Sequence, residues 1–170
     1  EYLIDMAGGE ALQVGVIEGQ PGYHSTERVG GFLDAIEGSE NLEVVASIAG
    51  GWNVEGGNTA GMDLLQANPD IDVLFAANDY MIMGAALAGK ALGKADLVLL
   101  GNDGDTAALE EIAGGSLTAT VNTTPFVMGQ IALQVVMDSL NGEFGGGFVE
   151  TPTIVVDEGN VLPALQDPDS

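Results

Sequence analysis

Two apolar runs end in the same polar pair: Val73-Leu74-Phe75-Ala76-Ala77 leads into Asn78-Asp79, and Leu97-Val98-Leu99-Leu100-Gly101 leads into Asn102-Asp103-Gly104. An amide beside a carboxylate supplies hydrogen-bond donors and acceptors together, the equipment for holding a polar ligand. Paired carboxylates would also suit magnesium and phosphoryl chemistry. Both runs are continuously apolar, the pattern of strands buried on both faces of a parallel sheet. Ligands of open α/β sheets bind just beyond the carboxyl ends of the strands, where these pairs stand.

The elements that must position them alternate regularly. Strands are predicted at 13–18, 43–48, 72–77, 97–101 and 117–121, with helices at 25–37, 55–67, 80–92 and 106–113. Such βα alternation implies an α/β fold with a doubly wound, three-layer parallel sheet of the Rossmann or flavodoxin-like kind. Gly38-Ser39, Asn68-Pro69-Asp70, Gly93 and Gly114-Gly115 close the successive helices. The last third departs from this rhythm. Residues 125–140 read as a helix that is apolar on nearly every side, with Pro125 in its first turn. A glycine-rich connection follows over 141–147, then a short strand at 153–156 and an acidic tail expected to be flexible over 161–170. The opening Glu1-Tyr2-Leu3-Ile4-Asp5-Met6 reads as mid-helix, as though the chain were cut there.

Composition narrows the function. The chain has 170 residues, 46% of them hydrophobic, enough for one domain with its own core. Its net charge of −23 comes from 26 acids against only Arg28, Lys90 and Lys94. Three bases cannot neutralise a phosphate backbone, so nucleic acid is excluded as a partner, and anionic lipid is disfavoured. We read the imbalance as the surface of a protein from a saline, halophilic setting, where counterions screen self-repulsion.

Catalytic equipment is sparse. There is no cysteine, hence no disulfide or thiolate metal site, and the lone His24 sits after Gln20-Pro21-Gly22-Tyr23 as a helix-start residue. Neither a Walker-type phosphate loop nor a strand-end lysine accompanies the carboxylates, so the enzymatic reading lacks its parts and no metal or cofactor is implied. No apolar run approaches the roughly 18 residues of a membrane span, and no signal peptide is recognisable.

Several stretches in order carry a resemblance: Gly19-Gln20-Pro21-Gly22, Glu27-Arg28-Val29-Gly30-Gly31-Phe32, Ala76-Ala77-Asn78-Asp79, Gly101-Asn102-Asp103-Gly104 and Leu117-Thr118-Ala119-Thr120-Val121. Together they resemble the second lobe of periplasmic sugar-binding proteins of the ribose-binding type, whose two Rossmann-like lobes close on a sugar. The resemblance runs from Gly15 to about Val161 and implies a single lobe over residues 1–160, with the other lobe absent from this chain. It implies that the 125–140 helix packs on that other lobe, which would explain its apolarity. It also implies an extracytoplasmic receptor for an ABC-type importer, partnered by a sugar and by permease subunits. A sugar-sensing domain of a lactose-repressor-type regulator shares the fold and is the alternative.

Carried over residue by residue, the resemblance assigns Arg28, Trp52, Asn78 and Asp103 to a sugar-facing cleft. The chemistry agrees: vicinal hydroxyls donate and accept at once, and a carboxylate, an amide and a guanidinium fork complement them. An indole covers the apolar face of a sugar ring. Thr123 stands where ribose binders commonly carry a longer glutamine, which puts ribose itself in doubt. Asp103 and Asn78 are equally suited to cap helices, and Asp79 and Asn102 read as caps or turn formers. Without its lobe, the 125–140 helix is expected to pair two chains into a homodimer.

Overall fold

The computed structural model describes residues 1–166. β1 (Leu12–Glu18), β2 (Leu42–Ala49), β3 (Val73–Ala76), β4 (Val98–Asp103) and β5 (Ala119–Asn122) alternate with α2 (Tyr23–Ile36), α3 (Val54–Ala67), α4 (Asp79–Ala91) and α5 (Thr106–Ala113). The short α1 (Tyr2–Ala7) precedes them, and α6 (Pro125–Leu140), β6 (Ile154–Asp157) and α7 (Val161–Gln166) follow. The expected α/β architecture is therefore present.

The strands form one sheet in the order β2-β1-β3-β4-β5-β6. All neighbours are parallel except β5 and β6, which run antiparallel. From β1 the chain moves outward to β2, then returns past β1 to β3. The crevice between the ends of β1 and β3 is thus the switch point at which such sheets hold ligands.

Burial follows from the runs themselves. Val14, Val16, Ile17, Val73 and Leu74 have no exposed surface, and neither do Leu64 of α3 and Leu109 of α5. Each such side chain removed from water contributes about 1.5–3 kcal/mol. Helices α3 and α4 meet backbone to backbone: a Cβ on Gly57 would lie 2.2 Å from the Met81 carbonyl oxygen, and one on Gly84 2.1 Å from that of Val54. That close approach explains two glycines inside helices, where they otherwise cost stability.

Two features differ from the sequence reading. β4 runs on through Asn102 and Asp103, because those residues still pair with Val121 and Asn122 of β5. Where a flexible tail was expected from 161, α7 packs on α5 with Val161 and Ala164 buried, an i, i+3 pair too short to register as a periodic pattern. Residues 167–170 lie outside the described residues. The apolar helix α6 stands exposed, as its sequence leads one to expect, with no buried residue at all. Phe126, Leu133, Val136, Met137 and Leu140 form a wholly exposed apolar stripe on it, while Val127, Ile131 and Val135 on the other side are only half-buried. No helix among the described residues is long and apolar enough to cross a membrane.

Candidate functional site

At the carboxyl ends of β1, β2, β3 and β4 lies a depression of about 390 Å³, lined by Arg28, Trp52, Asn78 and Asp103 together with residues 20–25. Four of the five predicted residues therefore meet in one place. Arg28 organises them. From α2 its Nη2 lies 2.6 Å from Asp103 Oδ1, its Nη1 donates to the Ala77 carbonyl at 2.9 Å, and its Cζ sits 5.8 Å from the centroid of the Trp52 ring. A guanidinium tethered on three sides has lost its rotamer freedom before any ligand arrives, and its remaining N–H groups are aimed.

Trp52 and Asp103 occupy backbone conformations that side chains rarely adopt, with φ of 68° and 138°. Thr124, after β5, has φ of 45°, and these three are the only non-glycine residues so placed among those described. Strain of this kind costs on the order of 1–3 kcal/mol per residue and gathers where function requires it. All three lie at the same end of the sheet. Trp52 is fixed by packing: a Cβ on Gly19 would meet its Cζ2 at 1.9 Å, so the indole rests directly on the glycine backbone, and the Trp52 backbone N–H donates to the Met81 sulfur at 3.3 Å. Gly19→Ala should push the only tryptophan off this seat, read as a red shift of its emission; an unchanged spectrum would mean the ring is not held there.

Asn78 caps a helix and also lines the depression. Its Oδ1 accepts from the Met81 N–H at 3.0 Å and caps α4, while its Nδ2 donates to the Trp52 carbonyl at 3.4 Å. Asp103 does not cap α5: that position belongs to Asp105, whose side chain makes no cap bond. Burial pushes the Asp103 carboxyl above the usual carboxylate range, against the hydrogen bond and charge of Arg28. Thr123 does not line the depression. Its N–H and hydroxyl both donate to the Asp103 carbonyl, at 3.0 and 3.2 Å, so it braces Asp103 from behind.

Tyr23 and His24 line the depression too, ring against ring with centroids 5.8 Å apart. From the sequence His24 reads as no more than a helix-start residue. Asp79 lies deeper, wholly buried. Its Oδ2 accepts from the Gly104 and Asp105 N–H groups, both at 2.8 Å, and its Oδ1 from the Thr120 hydroxyl at 2.6 Å. Burial raises its pKa to about 6, with those three hydrogen bonds pulling the other way. A Cβ on Gly101 would come within 2.3 Å of Asp79 Oδ1, which accounts for that glycine. Among the described residues no cluster of three or more His, Asp or Glu side chains converges as metal ligands would. The arrangement suits recognition of a neutral, hydroxyl-rich molecule.

Comparison with known proteins points the same way. Residues 1–144 match the family described as the periplasmic binding protein domain. The D-allose-binding periplasmic protein of Escherichia coli is 34% identical over 140 residues, 81% of this chain and 45% of that protein. A ribose import binding protein of Bacillus subtilis is 36% identical over 136 residues, 79% of this chain and 44% of that protein. The chain thus spans about half the length of the curated relatives it matches. Among solved structures, an ABC transporter solute-binding protein from Actinobacillus succinogenes with bound D-allose superposes with a TM-score of 0.85 at 29% identity, over 95% of this chain and 58% of that one.

Proposed function

We propose, from the premise that the chain belongs to the periplasmic binding protein family and is of its ribose-binding type, that it is the second lobe of an extracytoplasmic receptor for an ABC-type sugar importer. It holds half of a monosaccharide site and performs no catalysis. The observation that carries this reading is the convergence of Arg28, Asp103, Asn78 and Trp52 in one depression at the switch point of the sheet. The guanidinium and carboxylate bracket vicinal hydroxyls, the Asn78 amide adds a neutral partner, and the indole shields an apolar ring face. In the whole receptor, closure of two such lobes would add the opposite face of the site, and permease subunits would read the closed state. The relatives named above are import and binding proteins, which favours a transport receptor over the regulator alternative. We further propose that the acidic surface reflects a saline habitat and that the isolated chain pairs through α6.

With half the cleft, pentoses and hexoses should bind in the millimolar range or weaker, about 4 kcal/mol. Titration calorimetry with the wild type, Arg28→Met and Asp103→Asn tests this, with each substitution expected to abolish measurable binding. Sugar binding unaffected by Arg28→Met would sink the assignment.

A further inference from the structure

We infer that Asp79 is the positioning residue of this site: from beneath the depression its carboxylate gathers the Gly104 and Asp105 amides and so aims the Asp103 carboxylate at Arg28 and at a bound sugar. The inference rests on the sugar-site reading given above and adds to it a residue that touches no ligand.

The geometry makes the case. Asp103 sits at φ 138° and Gly104 at φ 84°, a turn that does not hold itself. It is held from two sides. Thr123 donates twice to the carbonyl of Asp103, and Asp79 accepts from the next two amides, joining the start of α4 to the β4–α5 turn. The Thr120 hydroxyl ties the same carboxylate to β5. Gly104 is so tightly boxed that a Cβ there would lie 2.7 Å from Asn122. With its turn fixed, the Cβ of Asp103 is placed so that its carboxylate reaches Arg28 at 2.6 Å.

A purely structural role fits poorly. The Asp79 pKa is raised from 3.8 to about 6. The folded chain therefore binds this proton more tightly than the unfolded chain does, and the group's contribution to stability falls as pH rises through that interval. At neutral pH the ionised Asp79 therefore contributes less to stability than its protonated form would. A neutral isostere would be expected in its place unless the strength of its bonds mattered, because a carboxylate accepts amide hydrogens about twice as strongly as a neutral oxygen. The groups facing it are Asp103 and Asp105 from the turn and Thr120 from β5; beyond Asp103 stand Arg28 and His24 on α2.

Asp79→Asn tests the inference, since an amide can still accept both N–H groups and donate to Thr120. In molar salt at pH 7.5 it should melt at a higher temperature than the wild type yet bind pentoses or hexoses about 3- to 10-fold more weakly. Wild-type affinity should fall toward the variant's as pH drops through about 6, and the variant's profile should lack that step. Thr120→Val removes a bond that favours the ionised form and should move the wild-type step to higher pH. A separate arm needs no sugar: the Gly104 and Asp105 amide resonances should titrate with that midpoint in the wild type and not in Asp79→Asn. If Asp79→Asn loses stability and affinity together, or binds as tightly as the wild type at every pH, the inference fails. If the wild type binds no sugar, the site reading fails instead. The amide titration then decides the turn by itself: present in the wild type and lost in the variant supports the latch, and absence overturns it.

Discussion

Dialysed from molar to millimolar salt, the chain should lose its cooperative unfolding transition, followed by circular dichroism during heating. The chain carries 26 acids against three bases, and among the described residues the ion pair between Arg28 and Asp103 is the only salt bridge. Almost every carboxylate therefore relies on mobile counterions. A compact chain of this length has a radius of gyration of roughly 15 Å. The Debye length is about 3 Å at 1 M and about 30 Å at 0.01 M. In dilute buffer each acid consequently feels all the others, whereas in molar salt it feels only its neighbours. Two charges about 10 Å apart in water repel by about 0.4 kcal/mol, so a few tens of such pairs equal the 5–15 kcal/mol by which a domain is usually stable. A full cooperative melt at millimolar salt would count against a saline origin.

The second large effect concerns α6. The chain should sediment or scatter as a dimer at submillimolar concentration, and Leu133→Asp with Met137→Asp should return it to a monomer without loss of its melt. Both side chains belong to the exposed stripe, at 65% and 48% accessibility, so the changes remove no buried contact. The helix also carries a single charge, Asp138, on a chain of net charge −23. Two copies could meet along it with only the two Asp138 carboxylates to bring together. A monomeric wild type would mean that the stripe stays solvated. Dimers that survive the double substitution would place the contact elsewhere.

The fold was largely legible because its signals are local. Continuous apolar runs announced the central strands, and glycines and Asn-Pro-Asp marked the ends of the helices; the edges moved by one or two residues where pairing, not composition, decides them, as when β5 extends β4 through Asp103. Helix α7 was missed because its burial depends on α5, distant in sequence. Arg28, Trp52, Asn78 and Asp103 were found through strand-end position and a family resemblance. Thr123 was placed at the correct strand end, but its hydroxyl turned to the Asp103 carbonyl, a choice of rotamer that spacing does not reveal. Asp79 read as a cap beside Asn78. Asn78 took the cap, which freed its neighbour to reach the turn after β4, and nothing in the order of residues shows that two turns 25 positions apart come within a hydrogen bond.

An arginine already neutralised by Asp103 at 2.6 Å also determines what the depression turns away. Lys90 and Lys94 line a different groove, so among the described residues no unpaired cation faces this end of the sheet. A sugar phosphate or a uronate would bring its anion up to an acidic surface and find no counter-charge waiting, while an uncharged sugar exchanges one set of neutral hydrogen bonds for another. If the depression holds a sugar as proposed, discrimination begins with charge and only then proceeds to stereochemistry.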